Sequence, residues 1–271
     1  MTTAKPVALV TGASSGIGKA AALALVDAGF VVVGTSRNTS GVAPLDKVTF
    51  LDLNVTSDES VSAVVGRVIE RFGRLDVLVN NAGTGAAGAA EESSVAQDQR
   101  VFDINFFGVV RMTKAVLPHM RATGNGRIIN ISSVLGLVPA PYMASYAATK
   151  HAIEGYSESV DHEVREHGIR VLLVEPAYTR TGFDAKAIQP DAPLPIYEVQ
   201  RHAFDGVMAR AMADGDDPAI VANAIVAAAT DPKPKLRYTA GSTAGRVSAL
   251  RRFVPTQLFD RQIRKLNRLP A

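Results

Sequence analysis

The 271-residue chain is 47% hydrophobic and 20% charged, a balance typical of globular proteins and long enough for one large domain or two small ones. It contains no cysteine, which excludes disulfides, thiolate catalysis and cysteine-held metals. The net charge of +3 is uneven: Arg246, Arg251, Arg252, Arg261, Arg264, Lys265 and Arg268 face one acid, Asp260, which leaves that segment at +6 and the remainder at −3.

The opening MTTAKPVALV has an apolar run that Thr11 and Gly12 end. It is too short for a signal peptide or a membrane span, so a cytoplasmic location is expected. Strands are predicted at Val7–Val10, Val31–Thr35, Val48–Leu51, Val77–Val79, Ile128–Ile131 and Val171–Val174. Helical spacing fills Lys19–Asp27, Val61–Arg71, Gln97–Met120 and Ala152–Glu166 between them. Alternation of this kind implies an α/β fold, a doubly wound Rossmann-type parallel sheet with helices on both faces.

No linker interrupts the chain before residue 180, so 1–271 reads as a single domain. The proline-rich QPDAPLPIY and a helix from Pro218 to Thr230 suggest an insertion over the sheet's carboxyl edge, about 182–230. In the basic tail, 246–271, Leu258, Ile263 and Leu266 mingle with the arginines and predict an amphipathic helix. Packing on the protein is preferred for it over lying on a membrane. No nucleic-acid-binding fold accompanies the patch, so no nucleic-acid partner is expected.

Directly after the first strand comes TGASSGIG, with Gly12, Gly16 and Gly18 around Ser14, Ser15 and Ile17. Glycines at that place permit a tight turn and close backbone approach, and the helix that follows offers its N-terminal N–H groups to a pyrophosphate. The second strand runs into Ser36 and Arg37. Binders of NAD carry an acid near this point for the ribose hydroxyls; serine leaves room for a 2′-phosphate and arginine can hold it, so NADP(H) is expected over NAD(H).

Residues 146–150 read YAATK. Tyr146 and Lys150 stand one helical turn apart and share a face. A free tyrosine titrates near ~10, and a neighbouring ammonium favours its phenolate. Taken alone, such a pair could equally be an ordinary tyrosine beside a solvated lysine. It gains meaning from RIINISSVLG, which puts Ser132 and Ser133 at the carboxyl end of a strand, where a hydroxyl can bond a carbonyl oxygen as charge develops.

These motifs, with NNAG (80–83), INFFG (104–108), ISS (131–133) and EPAYTRT (175–181), resemble the short-chain dehydrogenase/reductase family over about the first 185 residues. The chain is similar to members acting on hydroxysteroids, retinoids and other apolar ketones. The resemblance implies that Tyr146 donates or accepts the proton, that Lys150 lowers its pKa and holds the nicotinamide ribose, and that Ser133 orients the substrate. By the same likeness, Asn105 interrupts its helix and anchors a water in a proton relay. Asn81, Ala82 and Gly83 line the adenosine side, and Asn54 and Val55 lie near the adenine; Pro176, Thr179 and Thr181 approach the nicotinamide carboxamide and phosphate. Two positions depart from the pattern: Asn54 stands where many relatives have aspartate, and Ala177 where most have glycine. Relatives pair through helices equivalent to Gln97–Met120 and the one after Tyr146, which implies a homodimer or homotetramer.

Leu135, Tyr142 and Phe183 are expected to touch substrate, with Leu194, Ile196 and Tyr197 closing a lid that suits a hydrophobic ketone or secondary alcohol. Arg180 could instead meet an acidic substrate or remain in solvent. Two other readings stand beside this one: a 3-oxoacyl-type reductase of the same family and a non-catalytic NADP-binding regulator. The histidines form no metal-binding pattern, and Glu91, Glu92, Asp216 and Asp217 read as solvated loop charges.

Overall fold

The computed structural model describes residues 5–269; residues 1–4 and 270–271, the ends of the expected domain and tail, lie outside the described residues. Seven strands pair in parallel throughout: β1 (Val7–Val10), β2 (Val31–Ser36), β3 (Val48–Asp52), β4 (Val77–Asn80), β5 (Gly126–Ile131), β6 (Ile169–Pro176) and β7 (Arg237–Ala240). Their order is β3-β2-β1-β4-β5-β6-β7. Strand order reverses between β1 and β4, and ligands bind at the carboxyl ends beside such a switch point.

Two helical layers bury the sheet. Helices α2 (Asp58–Phe72), α4 (Gly108–Thr123) and α5 (Ala144–Val164) cover one face, where Val64, Met112, Val116 and Val160 join Leu9, Leu78 and Ile128. Helices α1 (Gly16–Asp27) and α7 (Pro218–Thr230) cover the other through Ala22, Leu25, Val221 and Ile225. Local chemistry sets the boundaries. Helix α2 starts at Ser57, whose hydroxyl accepts the Ser60 N–H, carries Asp58 and Glu59 in its first turn, and stops at Gly73 with φ of 70°.

The structure differs from the sequence expectation in four places. The seventh strand was not anticipated because its RYTA sequence contains no apolar run; it is an edge strand. The helix expected over Gln97–Met120 is α3 (Val95–Phe102) and α4, separated by a π-helical turn at Asp103–Phe107. Helix α7 does not belong to a lid: its apolar side packs against α1 and the sheet, which confines the covering segment to the part ending with α6 (Glu198–Ala213). The tail is two helices. Ala244 is buried in α8 (Ser242–Phe253), and the Arg251 guanidinium donates to the Leu137 carbonyl at 3.2 Å. In α9 (Thr256–Leu266), Leu258 and Leu266 remain exposed. Among the described residues no helix is long and apolar enough to cross a membrane.

Candidate active site

The glycine turn after β1 is held from below. The Thr11 hydroxyl accepts the N–H groups of Asn81 and Ala82, each at 2.9 Å, while the Asn81 amide donates to the carbonyls of Thr11 (2.9 Å) and Gly12 (3.2 Å). Gly12 and Gly16 have φ of 67° and 54°, and a Cβ on Gly18 would stand 2.3 Å from the Gly12 carbonyl oxygen. Only glycine tolerates that set of positive dihedrals and close approach. No acid lies in the first turn of α1 and Ser15 makes no side-chain cap, so the N-terminal N–H groups and the positive end of the helix suit a phosphate. Thr181 covers the same turn, its Cγ2 lying 3.2 Å from where a Gly16 Cβ would be. These residues fit a dinucleotide.

The segment after Pro176 turns despite Ala177. Backbone bonds tie Arg180 N–H to the Asp216 carbonyl (2.9 Å) and Asp216 N–H to the Tyr178 carbonyl (2.8 Å), so neighbouring chain, rather than a glycine, shapes it. Thr179 is buried beside this bridge and bonds the Ala177 carbonyl. Arg180 pairs with Asp217 at 3.5 Å, and Asp217 also caps α7, so neither is a purely solvated charge. At the other end of the crevice, Ser36 is half-buried at the end of β2 and Arg37 is exposed. Asn54 folds its amide oxygen back onto Thr56, and Val55 packs under Gly108 of α4.

The catalytic candidates converge where β5 meets α5. Ser133 follows β5 and accepts the Leu135 N–H at 3.1 Å; because its oxygen accepts, the hydroxyl proton remains to be donated. Tyr146 is buried in the first turn of α5, with the Phe183 ring edge-on at 5.9 Å. Lys150, 8% exposed, donates to the Ile131 carbonyl at 2.8 Å, and its Nζ lies 5.5 Å from the centroid of the Tyr146 ring. Burial pulls its pKa down to about 8, and Glu154 opposes that fall. Asn105 sits in the π-turn that interrupts the long helix. Its amide donates to the Thr84 carbonyl (2.9 Å) and the Thr149 hydroxyl (3.3 Å) and accepts the Thr84 N–H (2.8 Å). It thereby ties the loop after β4 to the turn of α5 that carries Tyr146 and Lys150.

An apolar cap closes over Tyr146. Met143, Tyr146 and Phe204 form a buried cluster with Leu135, Tyr142, Phe183 and Met208 against it. The left-handed Tyr142 (φ 62°) places its ring 5.6 Å from Phe204, and its carbonyl accepts the Gly88 N–H. Phe204 and Met208, both on α6, escaped the sequence reading because that helix buries only Phe204 and shows no apolar stripe. Three expected lid residues behave otherwise: Ile196 is 77% exposed, Tyr197 bonds Glu91, and Leu194 contributes its N–H to Glu92. Glu92, far from solvated, is 0% exposed and pairs with Arg201.

The short chain dehydrogenase family profile matches residues 6–192. The 3-ketodihydrosphingosine reductase of Bacteroides thetaiotaomicron is 47% identical over 177 residues, 65% of each chain, so the match spans just under two thirds of that relative. The uncharacterized oxidoreductase YusZ of Bacillus subtilis is 32% identical over 96% of this chain and 98% of its own. Among solved structures, a short-chain dehydrogenase from Streptomyces avermitilis superposes with a TM-score of 0.82 at 37% identity, covering 98% of this chain and 96% of that one. ElxO with NADP bound has a TM-score of 0.74 at 27% identity, with 89% and 99% covered. A Burkholderia phymatum member in complex with NAD has 0.79 at 26%, with 95% of each covered. Fold, motifs and relatives agree: the chain belongs to the short-chain dehydrogenase/reductase family and is an oxidoreductase acting on CH–OH groups.

Proposed function

We propose that this enzyme is an NADP(H)-preferring reductase that interconverts a hydrophobic ketone and its secondary alcohol. The observation that carries the reading is a buried lysine beside Tyr146 under a cap of Met143, Phe183 and Phe204, which offers a carbonyl two hydroxyl donors and otherwise apolar surroundings. A relative named for the reduction of a 3-ketodihydrosphingosine supports an apolar ketone. Relatives hold either NADP or NAD, and the preference assigned here rests on Ser36 and Arg37 of this chain.

Gly12, Ser14, Ser15, Gly16, Ile17 and Gly18 would hold the pyrophosphate; Ser36 and Arg37 the 2′-phosphate; Asn54, Val55, Asn81, Ala82 and Gly83 the adenosine side; Pro176, Thr179 and Thr181 the nicotinamide end. When bound, the nicotinamide supplies or removes the hydride. Ser133 donates its hydroxyl proton to the substrate oxygen and holds it in place. Tyr146 delivers a proton to that oxygen in reduction or removes one in oxidation. Lys150, as an ammonium, stabilises the phenolate left behind, and Asn105 keeps the supporting loop in position for a water-borne proton relay. The same reading places α4 and α5 at a homo-oligomer interface in a cytoplasmic enzyme.

Tyr146→Phe should bind NADPH as the parent does, by fluorescence titration, and lose about 10²–10⁴-fold in turnover on any ketone reduced by the wild type. Turnover at the wild-type rate would overturn the assignment.

A further inference from the structure

Beneath the catalytic lysine lies a cluster of ionisable groups that the reaction as described does not use. Glu154 follows Lys150 by one turn of α5, and its Oε2 accepts the Arg237 Nε–H at 3.1 Å. Glu175, 0% exposed on β6, brings an oxygen to 3.2 Å of that same Nε without taking a hydrogen bond from it. Arg237 Nη2 donates to Glu158 at 3.1 Å. One N–H thus stands between two buried carboxylates.

Among the described residues, four buried oxygens here find no hydrogen-bond partner: Glu154 Oε1, both carboxylate oxygens of Glu175, and Ser132 Oγ. Two of them, Ser132 Oγ and Glu154 Oε1, border one space. The Cβ that Gly136 lacks would fall 2.7 Å from Ser132 Oγ and 3.2 Å from Glu154 Oε1, so glycine keeps that space open. Buried acceptors without donors are costly, and two carboxylates sharing a site do not both ionise readily. A proton taken up by the acid pair supplies the missing donor and leaves one negative charge, on Glu154, to be met by Arg237 on one side and Lys150 on the other. Burial, then the Glu154 charge, pushes the Glu175 carboxyl up to about 7. The titratable or charged groups facing this cluster are Tyr146, Lys150, Glu154 and Glu158 on α5, Glu175 on β6 and Arg237 on β7.

We propose that Glu154 is a positioning residue for Lys150: with Glu175 it forms an acid pair that holds one proton and one charge under the site, and that charge keeps the lysine an ammonium. This rests on the reading of Tyr146 and Lys150 given above. Losing the Glu154 charge exposes Lys150 to its desolvation cost alone, so it sheds its proton at lower pH and Tyr146 becomes harder to ionise.

The test follows the phenolate of the cofactor-free protein by near-ultraviolet absorbance against pH, with Tyr146→Phe as the blank, alongside the acid limb of kcat/KM for alcohol oxidation. In Glu154→Gln both are expected to move to higher pH by about one unit, a tenfold change in proton affinity. Glu175→Gln, which imitates the protonated partner, is expected to leave both in place. Should Glu154→Gln fail to fold, Glu154→Met with Arg237→Met removes the pair together, a replacement buried ion pairs commonly tolerate, and carries the same expectation. A purely structural Glu154 would give lower stability or rate with the limb and the phenolate transition unmoved, and that result overturns the proposal. If Tyr146→Phe retains the wild-type limb and transition, the catalytic reading itself fails instead.

Discussion

Two buried acid–arginine clusters flank Tyr146, and they are built differently. On the cap side, Glu92 accepts the Ala89 N–H (3.1 Å) and the Leu194 N–H (2.7 Å) and pairs with Arg201, while its own carbonyl takes the Ala192 N–H. One acid meets one cation and both carboxylate oxygens are used, which fixes the loop at 85–92 and the strap at 188–194 to α6. Under the lysine, Glu154, Glu158 and Glu175 compete for one arginine, and among the described residues three of their carboxylate oxygens find no hydrogen-bond donor. A satisfied pair clamps; an oversubscribed one binds a proton. A third case marks the opposite extreme: Asp161, fully buried on α5, takes Arg165, Arg170 and the Val171 N–H (2.9 Å). Burial pushes its carboxyl up, but those bonds outweigh it and hold the group below the usual range.

The comparison can be broken most directly at the clamp. Arg201→Leu leaves Glu92 buried without its cation and should cost about 3–5 kcal/mol by denaturant unfolding, with loss of the α6 cap. A change under about 1 kcal/mol would mean the pair is not a clamp. The oversubscribed cluster predicts a pH dependence. Because the folded carboxyl of Glu175 sits at about 7, above its unfolded value of ~4.3, the native state binds more protons between those limits. Its contribution is therefore fully present below the unfolded value and is lost as pH rises through about 7, on the order of 3 kcal/mol. Glu175→Gln should flatten that part of the stability curve; an unchanged slope would show that no proton is held there. The cation-rich cluster predicts the smallest effect. Arg165→Ala leaves Asp161 with Arg170 and a backbone donor, and since Arg165 is half exposed the loss should stay under about 1 kcal/mol. A separate change on the cofactor side, Ser36→Asp with Arg37→Ala, should shift the ratio of kcat/KM values from NADPH toward NADH, and an unaltered ratio would remove the basis for the NADP preference.

A feature is legible in the sequence when its signal is local. The strands Val7–Val10 and Val171–Val174 declare themselves as unbroken apolar runs, since both faces of a parallel sheet are covered. The glycine turn and the YAATK spacing are likewise local: Lys150 stands beside the Tyr146 ring, and Asn105 bonds Thr149 of the same helix. Strand β7 was illegible because an edge strand has only one neighbour and its RYTA needs no apolar run. Helix α7 was legible as a helix but not as part of the body, because apolar spacing does not say which surface a helix will meet.

Glu92 shows the limit most plainly. Beside Glu91 in a polar stretch it reads as solvated, yet Arg201, more than a hundred residues on, buries it. Glu175 is the same case: it sits within a recognised motif, and its protonation depends on a helix residue and an edge-strand arginine far from it in sequence. The sequence alone determined six of the seven strands, the glycine turn and the candidates for proton transfer, since periodicity and spacing encode backbone geometry. Only the tertiary structure decided which charges share a buried space, because the energy of an ionised group depends on its partners and its distance from water, and neither is written along the chain.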